Sequence, residues 1–243
     1  MNHQELREVC QASKMAGRSR HPYYRIHRRY SIYLTRMLAA TPVTPNQVSA
    51  IMIGVALCGL ILVAAGYLKI GISTIFISFV LDKCDGELAR LLQQASAKGI
   101  YLDEIYHTLV PSGLFFAIGI DHWLTKAAGL DALLAFTIAY LVLVCRQEHK
   151  ASYSVLVKMW PLRAEKSNTT TTLSELKYWI AVPSQDDLVL IICVASFIFG
   201  NMLGFLCFYL LVYSALAILG LISALRGDLM VRLSELDPRN RNL

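Results

Sequence analysis

The chain has 243 residues, 56% of them hydrophobic and only 16% charged, with a mean hydropathy of +0.49. That leaves too little polar surface for a soluble domain of this length, and the apolar residues gather in long runs, as membrane spans do. The net charge of +6 suits an anionic lipid surface or an anionic substrate; with no basic domain standing apart from the apolar runs, it gives no argument for nucleic acid.

Met1 to Arg20 is polar and lacks the apolar stretch of a cleavable leader. His21 to Ala40 is basic and aromatic. Tyr23, Ile26, Tyr30, Tyr33 and Met37 recur there at helical spacing, while Arg25, Arg28, Arg29 and Arg36 fall largely on other faces. This predicts an amphipathic helix, either lying in the cytoplasmic membrane interface or packed on the cytoplasmic ends of the spans. Six spans follow: Asn46 to Tyr67, Ile70 to Leu92, Gly99 to Ile120, Leu130 to Cys145, Leu188 to Gly200 and Leu203 to Leu225. The fourth and fifth are short and are expected to extend into their polar flanks. The expected fold class is an all-α integral membrane protein, divided into an N-terminal segment (1–45), a six-helix transmembrane domain (46–225) and a tail (226–243).

Orientation follows from the basic residues. Of 23 Lys and Arg, only Lys69 and Lys126 fall in the loops opposite the termini, which places both termini in the cytoplasm and agrees with an even number of spans. The six cysteines form no C-x-x-C pair and mostly sit inside apolar runs, as buried free thiols do. Asn168-Thr169-Thr170 matches a glycosylation sequon but falls in a predicted cytoplasmic loop, and Gly200 with Gly204 reads as turn chemistry between two spans. Ser184 and Asp187 have near capping-box spacing ahead of the fifth span.

The second apolar run, Ile70 to Leu81, is too short to cross a bilayer, so its helix must continue through Asp82, Lys83, Cys84, Asp85, Gly86 and Glu87. The third span carries Asp103, Glu104 and His107 near its start. Ionisable groups at such depth are costly and mark a site facing a protein interior or a cavity. Asp82 and Asp85 stand i,i+3, and Asp103 and His107 stand i,i+4, so each pair shares one helix face. A short connection makes the two helices antiparallel neighbours whose polar pairs meet at similar depth. Carboxylates so placed repel unless a cation sits among them, and oxygen ligands suit Mg²⁺ or Mn²⁺.

Asp82-x2-Asp85-Gly86-x2-Ala89-Arg90-x8-Gly99-x3-Asp103-x3-His107 resembles the signature of the CDP-alcohol phosphotransferase (CDP-alcohol phosphatidyltransferase) family, D-x2-D-G-x2-A-R-x8-G-x3-D-x3-D, at every fixed position but the last. The resemblance implies a transferase that moves a phospho-alcohol group from a CDP-linked donor to an alcohol acceptor, releasing CMP, in a homodimer. It implies that Asp82, Asp85 and Asp103 hold divalent metal. Gly86, Ala89, Arg90 and Gly99 would bind the donor: Gly86 by leaving room for the nucleotide, Arg90 by pairing with phosphate. Asn46, in Thr44-Pro45-Asn46 at the mouth of the first span, is a further donor candidate or a helix cap.

The departure is His107, where the family has a fourth Asp. Histidine, with an ordinary pKa of about 6.5, can serve as general base toward the acceptor hydroxyl. It can equally be a ligand that favours Mn²⁺ over Mg²⁺, or mark a relative that binds a CDP compound without turning it over. Arg146, His149 and Lys150, at the cytoplasmic end of the fourth span, either bind an acceptor phosphate or anchor the helix end; Glu87 and Glu104 pair with Lys83 or Arg90, or reach the acceptor. A transporter would also explain carboxylates at membrane depth, but not Gly86, Ala89, Arg90 and Gly99 at these intervals.

Overall fold

In a computed structural model of the chain, the described residues are 3–15, 22–125, 129–159, 179–182, 184 and 186–225, and all regular structure among them is helical. Two helices precede the first apolar run: α1 (His3–Met15) and α2 (Pro22–Ala39). The apolar runs form α3 (Pro45–Ala64), α4 (Leu68–Leu91), α5 (Ala97–Leu124), α6 (Gly129–Met159), α7 (Asp186–Ile198) and α8 (Met202–Leu225). The sequon and the tail 226–243 lie outside the described residues, as do the side chains of Tyr23, Arg25, Ile26, His149, Asp186 and Asp187.

Among the described residues, three helices are long and apolar enough to cross a membrane: Pro45–Ala64, Gly129–Glu148 and Met202–Ile222. The chain is an integral membrane protein. α4 has 24 residues, but Lys69 and the charged run from Asp82 to Glu87 keep it from qualifying by composition. α7 has 13 residues, which at about 1.5 Å per residue spans roughly 20 Å, less than the hydrocarbon layer. The fourth apolar run extends as expected, to Met159.

The fold divides into two compact units, Met1–Ala117 and Ile118–Leu243, with the boundary inside α5. In the first unit, α3 starts at a complete capping box. Thr44 Oγ1 accepts from the Gln47 amide at 3.3 Å, and the Thr44 amide donates to Gln47 Oε1 at 2.9 Å. Pro45, at the first helical position, gives up an amide that has no intrahelical partner there. The cap is therefore Thr44, not Asn46. α3 buries Val48, Met52, Ala56, Leu60 and Val63, one stripe at three- and four-residue spacing.

α3 and α4 meet at two glycines. A Cβ on Gly59 would stand 2.9 Å from the Gly71 carbonyl oxygen, and one on Gly71 would stand 2.7 Å from that of Gly59. The two backbones therefore touch directly, the close approach that small residues allow between apolar helices. This crossing fixes how the far end of α4 is presented.

α1 and α2 pack against α4. The buried face of α2 is Arg28, Ser31, Ile32 and Thr35, whereas Tyr30, Tyr33 and Met37 are exposed. The sequence treated interface and packing as alternatives for this helix. Here it packs, and it does so through a mostly polar stripe, leaving the aromatic row outward. α1 was not expected at all, because a polar segment with few large apolar residues gives little periodicity to read.

In the second unit, α8 packs on α6 and α7 around the fully buried Tyr209, which contacts the rings of Phe205, Phe208 and Tyr213. His122 Nδ1 and Asp131 Oδ2, 3.1 Å apart, tie the end of α5 to the start of α6. Gly200, with φ of +65°, makes the turn between α7 and α8, as the sequence suggested. Ser184 donates to the Ala181 carbonyl at 2.8 Å. All six cysteines are free, but Cys58 and Cys207 stand on exposed faces of apolar helices rather than buried.

Candidate active site

The second apolar run does continue as one helix through the charged residues, so α4 delivers Asp82, Asp85, Gly86, Ala89 and Arg90 on successive turns. α5 starts at Ala97, where Ser96 Oγ accepts from the Gly99 amide at 3.0 Å and donates to Asn46 Oδ1 at 2.8 Å. That hydroxyl ties the beginnings of α3 and α5 together. A Cβ on Gly99 would come within 3.0 Å of Asn46 Oδ1, so Gly99 is what lets Asn46 reach Ser96.

These elements enclose a cavity of about 360 Å³. Asp82, Asp85, Gly86, Ala89, Arg90, Gly99, Asp103 and His107 all line it, and so does Asn46. Arg146 and Lys150 lie on α6 in the second unit and are not among its lining residues.

Among the described residues, three offer metal-ligand atoms within 4.8 Å of one another: Asp82, Asp103 and His107. His107 Nε2 is 3.3 Å from Asp82 Oδ1 and 3.5 Å from Asp103 Oδ1. Ligands about 2.1 Å from a divalent ion stand about 3 Å apart when adjacent, so the trio fits a shared ion. Two carboxylates and one imidazole form a donor set open to Mn²⁺ as well as Mg²⁺. Asp85 is not part of the trio. Its Oδ2 accepts from Ser49 Oγ at 2.6 Å, which turns this carboxylate toward α3. Lys83 places its ammonium on Asp82 Oδ2.

Glu87 does not pair with Lys83 or Arg90. It is fully buried, and its Oε1 accepts from Gln11 Nε2 and Ser31 Oγ, each at 2.8 Å, with Arg28 Nη1 at 3.4 Å. Its Oε2 accepts from Thr35 Oγ1 at 2.8 Å. This carboxylate is the socket into which α1 and α2 plug. Arg90 Nε donates to the Cys10 carbonyl at 2.6 Å. Burial, and then the Glu87 charge, raise the Cys10 thiol above its ordinary range, so at neutral pH it is an uncharged packing group whose carbonyl does the positioning.

Sequence reading missed Arg28, Ser49, Lys83 and Ser96 as cavity-lining residues. The signal for the first was present: Arg28, Ser31 and Thr35 repeat at helical spacing, a polar stripe that needed a buried acid opposite it.

Residues 42–200 match the family model for CDP-alcohol phosphatidyltransferase, most of the chain. The chain belongs to that family. Among relatives, a "Bifunctional IPC transferase and DIPP synthase" of Rubrobacter xylanophilus is 39% identical over 108 residues. That stretch is 42% of this chain but only 24% of the relative, so the match spans about a quarter of its length. Among solved structures, phosphatidylinositol phosphate synthase (PgsA1) of Mycobacterium tuberculosis, with CDP-DAG bound, superposes with a TM-score of 0.55. At 15% identity, covering 82% of this chain and 91% of that one, the likeness is one of fold.

Proposed function

We propose that the chain is a metal-dependent CDP-alcohol phosphotransferase. It transfers the phospho-alcohol group of a CDP-linked donor, a CDP-diacylglycerol or a CDP-linked polar head group, to an alcohol acceptor, with release of CMP. One observation carries this reading: all eight signature positions line a single cavity. The proposed setting is six spans in a homodimer, with both termini and the site on the cytoplasmic side. Segment 1–45 is the cytoplasmic N-terminal segment with its interfacial helix, 46–225 the six-helix catalytic domain and 226–243 a cytoplasmic tail. The exposed row Tyr30, Tyr33 and Met37 of α2 supports its lying along the membrane interface while its other face packs on α4.

Each residue then has a task. Asp82 and Asp103 would hold a divalent ion, Mg²⁺ or Mn²⁺, with Asp85 the remaining carboxylate of the cavity and His107 either a third ligand or the base. When bound, the ion neutralises the donor's diphosphate and makes its phosphorus a better electrophile. Arg90 grips phosphate oxygens with its planar fork, and Gly86 leaves the helix backbone open to the nucleotide. Asn46, Ala89 and Gly99 shape the donor's pocket. As general base, His107 would take the proton of the acceptor hydroxyl as that oxygen attacks phosphorus and the bond from phosphorus to the CMP oxygen breaks; a nitrogen bound to the ion has no lone pair for that proton, so base and ligand are alternative roles for His107. Asp82 and Asp103 balance the charge the imidazole acquires. Arg146 and Lys150 are assigned to an acceptor phosphate.

Replacement of the fourth Asp by His107 favours one second reading, a relative that binds CDP compounds without turnover. Calorimetry with Mn²⁺ and a CDP-alcohol tests the site: the triple variant Asp82→Asn, Asp85→Asn, Asp103→Asn should abolish binding, and unchanged binding contradicts the assignment. CMP release across CDP-linked donors and alcohol acceptors separates the two readings. His107→Ala should lose turnover while keeping donor binding; intact turnover excludes His107 as base.

A further inference from the structure

We infer that Ser96 is a positioning residue for base selection: its hydroxyl fixes the Asn46 amide with the NH2 group toward the cavity, where it donates to the acceptor edge of the donor's cytosine. The inference deepens the donor reading above and rests on it.

Three groups form one directed chain. The Gly99 amide donates to Ser96 Oγ at 3.0 Å, and Ser96 Oγ donates to Asn46 Oδ1 at 2.8 Å. The direction is set at the backbone end, because an amide N–H only donates. The serine oxygen that accepts there still carries one hydrogen, and Asn46 Oδ1 receives it. Turning the Asn46 amide over would set its NH2 against that hydroxyl and take this acceptor away. A planar amide whose oxygen is engaged on one side presents its NH2 on the other. Asn46 lines the cavity, and among the described residues no hydrogen bond takes that NH2. What Asn46 offers an occupant is therefore a donor.

The acids of the cavity gather at Asp82, Asp103 and His107, whereas Asn46, Ser96 and Gly99 carry no charge. A diphosphate drawn to an ion among the acids leaves its nucleoside to the uncharged part. Gly99 precedes Asp103 by one helical turn, about 6 Å, and Asn46 Oδ1 lies within 3.0 Å of where a Cβ on Gly99 would stand. Asn46 is thus one turn from the acids, within reach of a base. Cytosine presents two acceptors on adjacent atoms, O2 and N3. Uracil shares O2 but carries a hydrogen on N3. An NH2 held toward the cavity suits the first edge and opposes the second, while an amide free to turn over serves both. By removing that freedom, Ser96 makes Asn46 selective.

The plainer reading is that Ser96 only caps α5, since its oxygen accepts from the amide of the third helical residue. The two roles come apart in Ser96→Asp. Aspartate caps a helix as well as serine does, but an ionised carboxylate has no hydrogen to donate. It draws the Asn46 NH2 to itself and turns Oδ1 toward the cavity.

Calorimetry on the full chain with Mn²⁺ compares CMP with UMP. The two nucleotides bear the same charge, so any general effect of the added carboxylate cancels in their ratio. The parent should favour CMP by about tenfold or more, the scale of one unmet hydrogen bond. Ser96→Thr, which keeps the hydroxyl, should preserve that ratio. Ser96→Asp should bring the two affinities together or reverse them. Ser96→Ala, which frees the amide without adding charge, should lower the ratio by about threefold or more. A ratio within about twofold of the parent in both the Asp and Ala variants leaves Ser96 a cap alone and overturns the proposal. A parent that binds CMP and UMP equally overturns it too. If the parent binds neither nucleotide, the donor reading fails instead.

Discussion

Replacing Glu87 by Gln tests the joint between the N-terminal helices and the site. Glutamine keeps the shape of the side chain. Its carbonyl oxygen can take the Oε1 position, which receives Gln11, Ser31 and Arg28, while its amide faces the Thr35 hydroxyl, which can turn and accept. The hydrogen bonds largely survive, and the loss is the charge opposite a buried guanidinium. An uncompensated buried charge costs about 3–5 kcal/mol; because Arg28 lines an open cavity, about 2–3 kcal/mol is expected. Spent on undocking α1 and α2, that corresponds to amide exchange roughly 30- to 150-fold faster in those two helices, with α3 unaffected. Hydrogen–deuterium exchange on the protein in nanodiscs measures it. Exchange in α1 and α2 within threefold of the parent would mean that Glu87 is not their anchor.

The α3–α4 crossing predicts opposite outcomes for two glycines. Gly71→Ala should destabilise by about 1–3 kcal/mol, since its Cβ meets backbone 2.7 Å away, whereas Gly54→Ala, with nothing within 4 Å, should be neutral or stabilise by about 0.5–1 kcal/mol. Thermal unfolding in detergent ranks them, and equal midpoints would contradict the backbone contact. Thr44→Ala should cost about 1 kcal/mol by removing one half of the capping box, read in the same assay. His107→Asp should raise the ratio of Mg²⁺ to Mn²⁺ affinity at least tenfold, because an oxygen replaces the only nitrogen of the donor trio; an unchanged ratio in calorimetry removes His107 from the ligand set.

Much of this site could be read from spacing. Asp82, Asp85, Asp103 and His107 share a cavity because i,i+3 and i,i+4 pairs on two helices joined by a short turn have few other ways to lie. The continuation of α4 past Leu81 followed from the length a span requires. What spacing could not give was the aim of each side chain. Asp85 is turned aside by Ser49, 36 positions away, and Glu87 is claimed by residues 52 to 76 positions away. Such contacts depend on which polar stripe meets which. The buried stripe of α2 looked like the outward one, because arginine, serine and threonine ordinarily face water. α1 escaped notice for the same reason, being mostly polar and docked through an amide, a carbonyl and a few apolar contacts.

The sequence distance between Glu87 and its partners has a consequence for biogenesis. Helices α1 and α2 are synthesised before their acid, which follows Gln11 by 76 residues and Thr35 by 52. At roughly 5–20 residues per second, Gln11 waits about 4–15 s for that partner to be synthesised. During this interval α1 and α2 lack the buried acceptor that holds them, and they dock only after α4 has been made.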